Sequence, residues 1–164
     1  MLAGLVRTDP LTGAGNRRAL EDRLAHMPRT RFALVAVDVD DLKKVNDAHG
    51  HPAGDDLLAK LAAVLAAELR PSDVLVRTGG DEFVALLVDC DARGAVELAK
   101  RLQRATTQLR FAWGTPSFSV GSAAGAVGDP PQAVAAAADR ALYAAKRVRK
   151  ARAVPVPEAS RAPR

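Results

Sequence analysis

Two runs rich in valine, leucine and phenylalanine, "DVLV" and "FVALLV", stand on either side of Arg77-Thr78-Gly79-Gly80-Asp81-Glu82. No other stretch constrains the fold as tightly. A glycine pair between β-prone runs predicts a hairpin, because tight primed turns need positive φ, which glycine adopts without steric cost. The hairpin tip then carries two adjacent carboxylates, Asp81 and Glu82. Gly79 and Gly80 beside them let a bulky ligand approach the main chain without meeting a side chain.

A second run, "RFALVAVDVD", reads as a strand because it is short, apolar and rich in valine. Asp38 and Asp40 are two apart in it, hence on one face. Two carboxylates buried together repel, and ionising both is costly. A hard divalent cation such as Mg2+ relieves this, since it takes oxygen ligands and keeps positions open for phosphate. If the hairpin pairs beside this strand, Asp38, Asp40, Asp81 and Glu82 meet at one edge. Alone, Asp-x-Asp is often surface decoration and Gly-Gly-Asp-Glu an ordinary turn. Together, on two predicted strands, they favour a metal site for phosphate chemistry.

Lys43 follows this strand closely enough to reach the phosphates of a metal-bound nucleotide. Asn46 and Asp55 are candidates to read a base. A carboxylate accepts from N1–H and the exocyclic amine of guanine, an edge that adenine lacks, and a carboxamide donates to guanine's remaining acceptors. A site built on such pairs rejects the wrong base, whose binding leaves polar groups unpaired. His49 and His51, either side of Gly50, read as loop histidines rather than metal ligands.

Elsewhere, residues 1–15 read as irregular, and Asn16 is placed to cap a helix over "RRALEDRLAHM". "DLKKVNDAHGHPAGD" reads as a short helix and then a loop. A helix over 53–69 turns Leu57, Leu61, Val64 and Leu65 inward. A helix over 92–109 carries Val96, Ala99, Leu102 and Leu109 near one face. "SFSVGSAAGAV" alternates as a strand does, and "PPQAVAAAADRALYAAKRV" is a helix opened by prolines, with Val134, Ala138, Ala141 and Ala145 inward. Such mixing predicts an α+β fold, a mostly antiparallel sheet with helices on both faces.

At 164 residues the chain is one domain by length. Cys90 is the only cysteine, so no internal disulfide forms, which fits a reducing compartment. The start, "MLAGLVRTDP", holds no apolar run long enough for a signal peptide or membrane span, and the chain reads as cytoplasmic. The net charge of +5 is concentrated at the end. Lys146, Arg147, Arg149, Lys150, Arg152, Arg161 and Arg164 stand there against Glu158 alone, and the body is close to neutral. A nucleic-acid groove needs bases spread over a folded face with aromatics for stacking, a pattern this chain does not have.

The segments "DPLTGAGNRRAL", "VDVDDLKKVNDAHGHPAGDDLL", "RPSDVLVRTGGDEF", "SVGSAAG" and "ADRALYAAK" occur in order over about residues 8–150. In them the chain resembles the GGDEF-domain diguanylate cyclases, which make cyclic di-GMP from two GTP. The resemblance implies a GGDEF domain over residues 1–150, a loose basic tail over 151–164, and a fold like the palm of nucleotide polymerases and cyclases. It implies that Asp38, the Val39 carbonyl, Asp81 and Glu82 hold Mg2+ or Mn2+, and that Asp81 or Glu82 accepts the ribose 3′-hydroxyl proton. By the same resemblance Asn46 and Asp55 read guanine, and Lys43 and Lys146 contact phosphates near Gly79 and Gly80. Catalysis is implied only in a two-fold homodimer, with no nucleic-acid partner. "RPSD" matches the family's product-inhibition site for cyclic di-GMP, formed by Arg70 and Asp73 with Arg101 as a further arginine. Arg149 and Lys150 depart from the Gly-Arg usual at that point. The alternative is a catalytically silent module that binds cyclic di-GMP or GTP.

Overall fold

The computed structural model describes residues 6–153. Most of the expected basic tail, 154–164, lies outside the described residues. A five-stranded sheet is ordered β1-β3-β4-β2-β5, with ranges β1 Gly15–Asn16, β2 Phe32–Asp40, β3 Val74–Arg77, β4 Glu82–Val88 and β5 Ser117–Gly125. All pairs are antiparallel except β1 with β3. The helices are α1 Arg17–Ala25, α2 Leu42–His49, α3 His51–Ala67, α4 Ala92–Thr106 and α5 Pro131–Ala153. The architecture is the α+β fold expected.

The strand β2 is buried along all nine residues because helices cover both faces of the sheet. Its residues divide by parity, as pleating requires. Ala33, Val35, Val37 and Val39 join Leu57, Leu61 and Leu65 of α3 and Leu98 and Leu102 of α4 in one core. Phe32, Leu34 and Ala36 join Val134, Ala138 and Leu142 of α5 in the other. Asp38 and Asp40 continue this second series, so both face α5. The close seat of α5 depends on Gly121 in β5: a Cβ there would lie 2.2 Å from the Leu142 nitrogen.

Asn16 caps α1 as expected, accepting from the Ala19 N–H at 3.0 Å. On α3, Leu57, Leu61 and Leu65 are buried as expected, but Val64 is only half-buried and Leu58 and Ala62 complete the inward face. Further local expectations also differ from the structure. The polar stretch after α2 is not a loop, since α3 begins at His51 with Gly50 alone as hinge, at φ 86°. The inward face of α4 is Ala95, Leu98, Leu102 and Thr106, while Val96 is exposed. On α5, Leu142 is the large residue buried, with Ala141 and Ala145 half-buried beside it.

Candidate active site

The hairpin forms between β3 and β4, but it is not a primed two-residue turn. The Thr78 N–H donates to the Glu82 carbonyl at 3.0 Å, closing a loop of Gly79, Gly80 and Asp81. Neither glycine has positive φ. Nor does the protein's own packing need them, since a Cβ on Gly80 would meet nothing within 4 Å and one on Gly79 only the Glu82 Cβ at 3.9 Å. The main chain at the tip is therefore bare towards open space. Two arginines fix its course. Arg17 donates to the Thr78 carbonyl at 2.9 Å, and Arg77 donates to the Gly80 carbonyl at 2.8 Å while pairing with Asp9 at 3.3 Å. Sequence reasoning missed both, although Arg77 directly precedes the turn.

The ladder between β2 and β4 sets Asp38 directly opposite Glu82. One step on, the Val39 N–H donates to the Asp81 carbonyl at 2.9 Å, which places Asp81 at the end of β2 whatever its side chain does. Asp38 is 4% exposed. Its Oδ2 accepts from Lys146 Nζ at 2.8 Å, and its Oδ1 is buried with no hydrogen-bond donor among the described residues. Burial pushes the Asp38 carboxyl up to about 6; the Lys146 hydrogen bond opposes this, and the charges of Asp81 and Glu82 add to it. Burial disfavours the Lys146 ammonium, yet its bond to Asp38 leaves it above its ordinary value. Asp38 is thus an acid short of positive charge, with one oxygen unused.

Asp40 is not part of this shortage. Its oxygens accept from Ser117 Oγ at 2.7 Å and Ser119 Oγ at 2.8 Å, and Arg149 Nε lies 3.1 Å from Oδ2. That Nε makes an ion pair but no aligned hydrogen bond. Arg149 also reaches Asp41 at 3.5 Å. Of the four acids expected to converge, three remain available. Since the Asp40 side chain is 1% exposed, Arg149→Ala is expected to leave a buried charge without its counter-ion and to cost about 3 kcal/mol by denaturant unfolding. A double variant with Asp40→Asn should recover most of the loss.

Asp38, Asp81 and Glu82 fit a hard divalent cation by donor chemistry: all oxygen, from β2 and from the turn and first residue of β4 facing it, with one buried oxygen unpartnered. They are not drawn together around one point, and no group of three His, Cys, Asp or Glu among the described residues is. Glu82 instead accepts from Thr78 Oγ1 at 3.2 Å.

The remaining site candidates fall in two places. Lys43 lies in the first turn of α2, paired with Asp47 at 3.0 Å. Asn46, further along α2, seats its carboxamide on Gly54 of α3. A Cβ there would lie 1.9 Å from Asn46 Oδ1, which is buried without a partner. Asp55 is exposed next to Gly54. Away from these, Arg70, Asp73 and Arg101 line one cavity of about 230 Å3 with Cys90 and Glu68. Asp73 is gripped by Arg70 through the backbone N–H at 2.9 Å and the guanidinium at 3.0 and 3.2 Å. Arg101 pairs with Glu68 at 3.1 Å.

A family model described as "Diguanylate cyclase, GGDEF domain" matches residues 6–152. The diguanylate cyclase DgcP of Pseudomonas aeruginosa is 37% identical over 150 residues, covering 85% of this chain and 22% of that protein. The response regulator PleD of Caulobacter vibrioides is 34% identical, covering 87% of this chain and 34% of its own length. The cyclic di-GMP phosphodiesterase PdeR of Escherichia coli is 35% identical, covering 87% and 23%. The chain therefore spans about a third or less of these relatives. Among solved structures, the GGDEF domain of DgcB from Caulobacter crescentus in complex with c-di-GMP superposes with a TM-score of 0.79 at 28% identity, covering 87% of this chain and 91% of that one. The chain belongs to the diguanylate cyclase GGDEF-domain family.

Proposed function

We propose that this domain is an active diguanylate cyclase, condensing two GTP into cyclic di-GMP with release of two pyrophosphates. The observation that carries the reading is the buried, unpartnered Asp38 oxygen facing Glu82, with Asp81 at its side and bare backbone at Gly79 and Gly80. Asp38, Asp81, Glu82 and the Val39 carbonyl would hold Mg2+ or Mn2+. When bound, such ions neutralise triphosphate charge and acidify the attacking hydroxyl. The chain's own groups do the rest. Lys146, released from Asp38, and Lys43 take phosphate oxygens. Asn46 and Asp55 hold the guanine edge. Asp81 or Glu82 accepts the 3′-hydroxyl proton.

One domain holds one nucleotide, so ring closure needs a second copy facing the first across a two-fold axis. Aligning the two nucleotides supplies much of the acceleration. Incubation with GTP and Mg2+ at several protein concentrations, with products separated by chromatography, tests the reading. Cyclic di-GMP should form with a steeper than linear dependence on protein. A silent binding module, favoured by the Lys146 amine lying on Asp38, would bind GTP or cyclic di-GMP and make no product.

The cavity at Arg70, Asp73 and Arg101 would take cyclic di-GMP as an inhibitor, with arginine gripping phosphate and stacking on guanine. Arg70→Ala should keep initial rates within about twofold and raise the inhibitory product concentration at least about tenfold. The Asp73 side chain is 3% exposed and keeps only the Arg70 backbone N–H, so the variant should also lose about 3 kcal/mol of stability, as Arg149→Ala does. Its unfolding curve is read beside the rates, and Arg70→Lys, which keeps a positive charge, is the control.

A further inference from the structure

Aromatic residues are few in this chain, and two of them are stacked with a histidine in one column. Phe111 and Trp113 lie in the turn between α4 and β5, with ring centroids 5.0 Å apart and planes 15° from parallel. His49 continues the stack on Trp113 at 5.3 Å and 22°. The Lys60 amine lies 5.0 Å from the centre of the Phe111 ring. Reciprocal backbone hydrogen bonds of 3.0 Å between Phe111 and Gly114 hold the turn closed.

The ends of this column matter. His49 is the last residue of α2, and Lys60 lies within α3. Between the helices there is only Gly50, at φ 86°, and α3 has no side-chain cap at its start. A corner that turns on one glycine must be held by packing, because glycine itself moves in φ and ψ at little cost. Asn46 on Gly54 is one such contact and the ring column is the other. Asn46 lies almost one helical turn before His49 and so on the same side of α2. Asp55 precedes Lys60 on α3. The rings and the amine therefore brace the corner across whose two arms Asn46 and Asp55 stand. The carboxamide of Asn46 is meanwhile wedged on Gly54 with a buried oxygen that has no donor among the described residues.

We infer that the Phe111–Trp113–His49 stack, capped by Lys60, is a strut that fixes Asn46 relative to Asp55 and so sets how selectively a guanine base is held. These are positioning residues: they act through the corner and not on the nucleotide. The inference rests on the cyclase reading for the identity of the base.

The test uses 3′-deoxy-GTP and 3′-deoxy-ATP, which lack the attacking hydroxyl, so binding is read by calorimetry apart from synthesis. Trp113→Ala is expected to weaken the guanine analogue at least about tenfold, about 1.4 kcal/mol, and leave the adenine analogue unchanged. KM for GTP should rise in parallel, with kcat at saturation within about threefold of the parent. Trp113→Phe, which restores a stacking ring, should return guanine affinity to within about threefold. His49→Ala removes an exposed ring without threatening the fold and should act in the same direction. Trp113 is the only tryptophan, so its emission should also change saturably as 3′-deoxy-GTP binds.

Unchanged guanine affinity in both alanine variants overturns the strut. So does an equal loss for both analogues, which signals general loosening. Wild-type protein that binds neither analogue overturns the cyclase reading and the strut together. Wild-type protein that prefers guanine while the variants keep the same degree of preference overturns the strut alone.

Discussion

Asp81→Ala is expected to lower cyclic di-GMP production at saturating GTP and Mg2+ at least about a thousand-fold, equivalent to about 4 kcal/mol of barrier. The size follows from where the side chain stands. Asp81 closes the turn at the end of β2, and its charge is one of the two that push Asp38 upwards. On the cyclase reading, removing it would take away one of the proposed oxygen donors to the cation and one of the two candidates for the proton. The fold should not notice. The main-chain bond from Val39 to the Asp81 carbonyl is indifferent to the side chain, and Arg17 and Arg77 hold the turn by its other carbonyls. A melting curve like that of the parent, with product absent by chromatography, is the expected pair of results. Residual activity within about tenfold of the parent would sink the assignment. Glu82→Gln complements it, since glutamine can still accept from Thr78. A changed pH–rate profile in that variant would mark Glu82 as the proton acceptor.

The parts of this protein that could be read in advance are those whose signal is local. The hairpin, the strand β2 and the Asn16 cap each lie within a dozen residues, and the parity of β2 puts Asp38 and Asp40 on one face before any contact is known. What resisted reading is long-range or ambiguous in pattern. The two-residue strand β1 is too short to carry a period. Lys146 on Asp38 and Arg149 on Asp40 join residues more than a hundred apart in the chain, through α5 crossing the end of β2. No spacing within either segment encodes that crossing, so spacing alone could not tell Asp40 from the other acids, and only the family resemblance left it out of the metal set. The α4 face was misjudged because alanines dilute its stripe. Ala95 and Thr106 complete the buried row, and Val96 looks apolar enough to belong while being 45% exposed. The first turn of α3 looks like a loop because "HPAGD" is polar and glycine-punctuated. Its proline suits a helix start, and its glycine answers to Asn46 rather than to a bend.

The acid to which the cyclase reading gives the metal should also weaken the fold, and Asp38→Asn is expected to separate the two. A carboxyl whose folded pKa is raised from 3.8 to about 6 binds its proton more tightly folded than unfolded. The stability it allows is therefore fully present below about pH 4 and is lost as pH rises through about 6. Above that the ionised group costs the fold on the order of 2–3 kcal/mol, with the attraction of Lys146 already included. Asparagine keeps an oxygen for the Lys146 hydrogen bond and carries no charge to be buried beside Asp81 and Glu82. In metal-free buffer near pH 7.5 the variant should melt several degrees above the parent, at about 2–4 °C per kcal/mol for a domain of this size. Near pH 4 the two should melt together, because the parent is then protonated. Mg2+ should reverse the order. It stabilises only the protein that binds it, by mass action, so the parent should rise with added Mg2+ and the variant should hardly move. Cyclic di-GMP synthesis by the variant should fall at least about a hundred-fold for want of the charged ligand. If Asp38→Asn melts lower than the parent at pH 7.5 without metal, the carboxylate is instead an ordinary stabilising partner of Lys146, and the strained acid at the centre of this site does not exist.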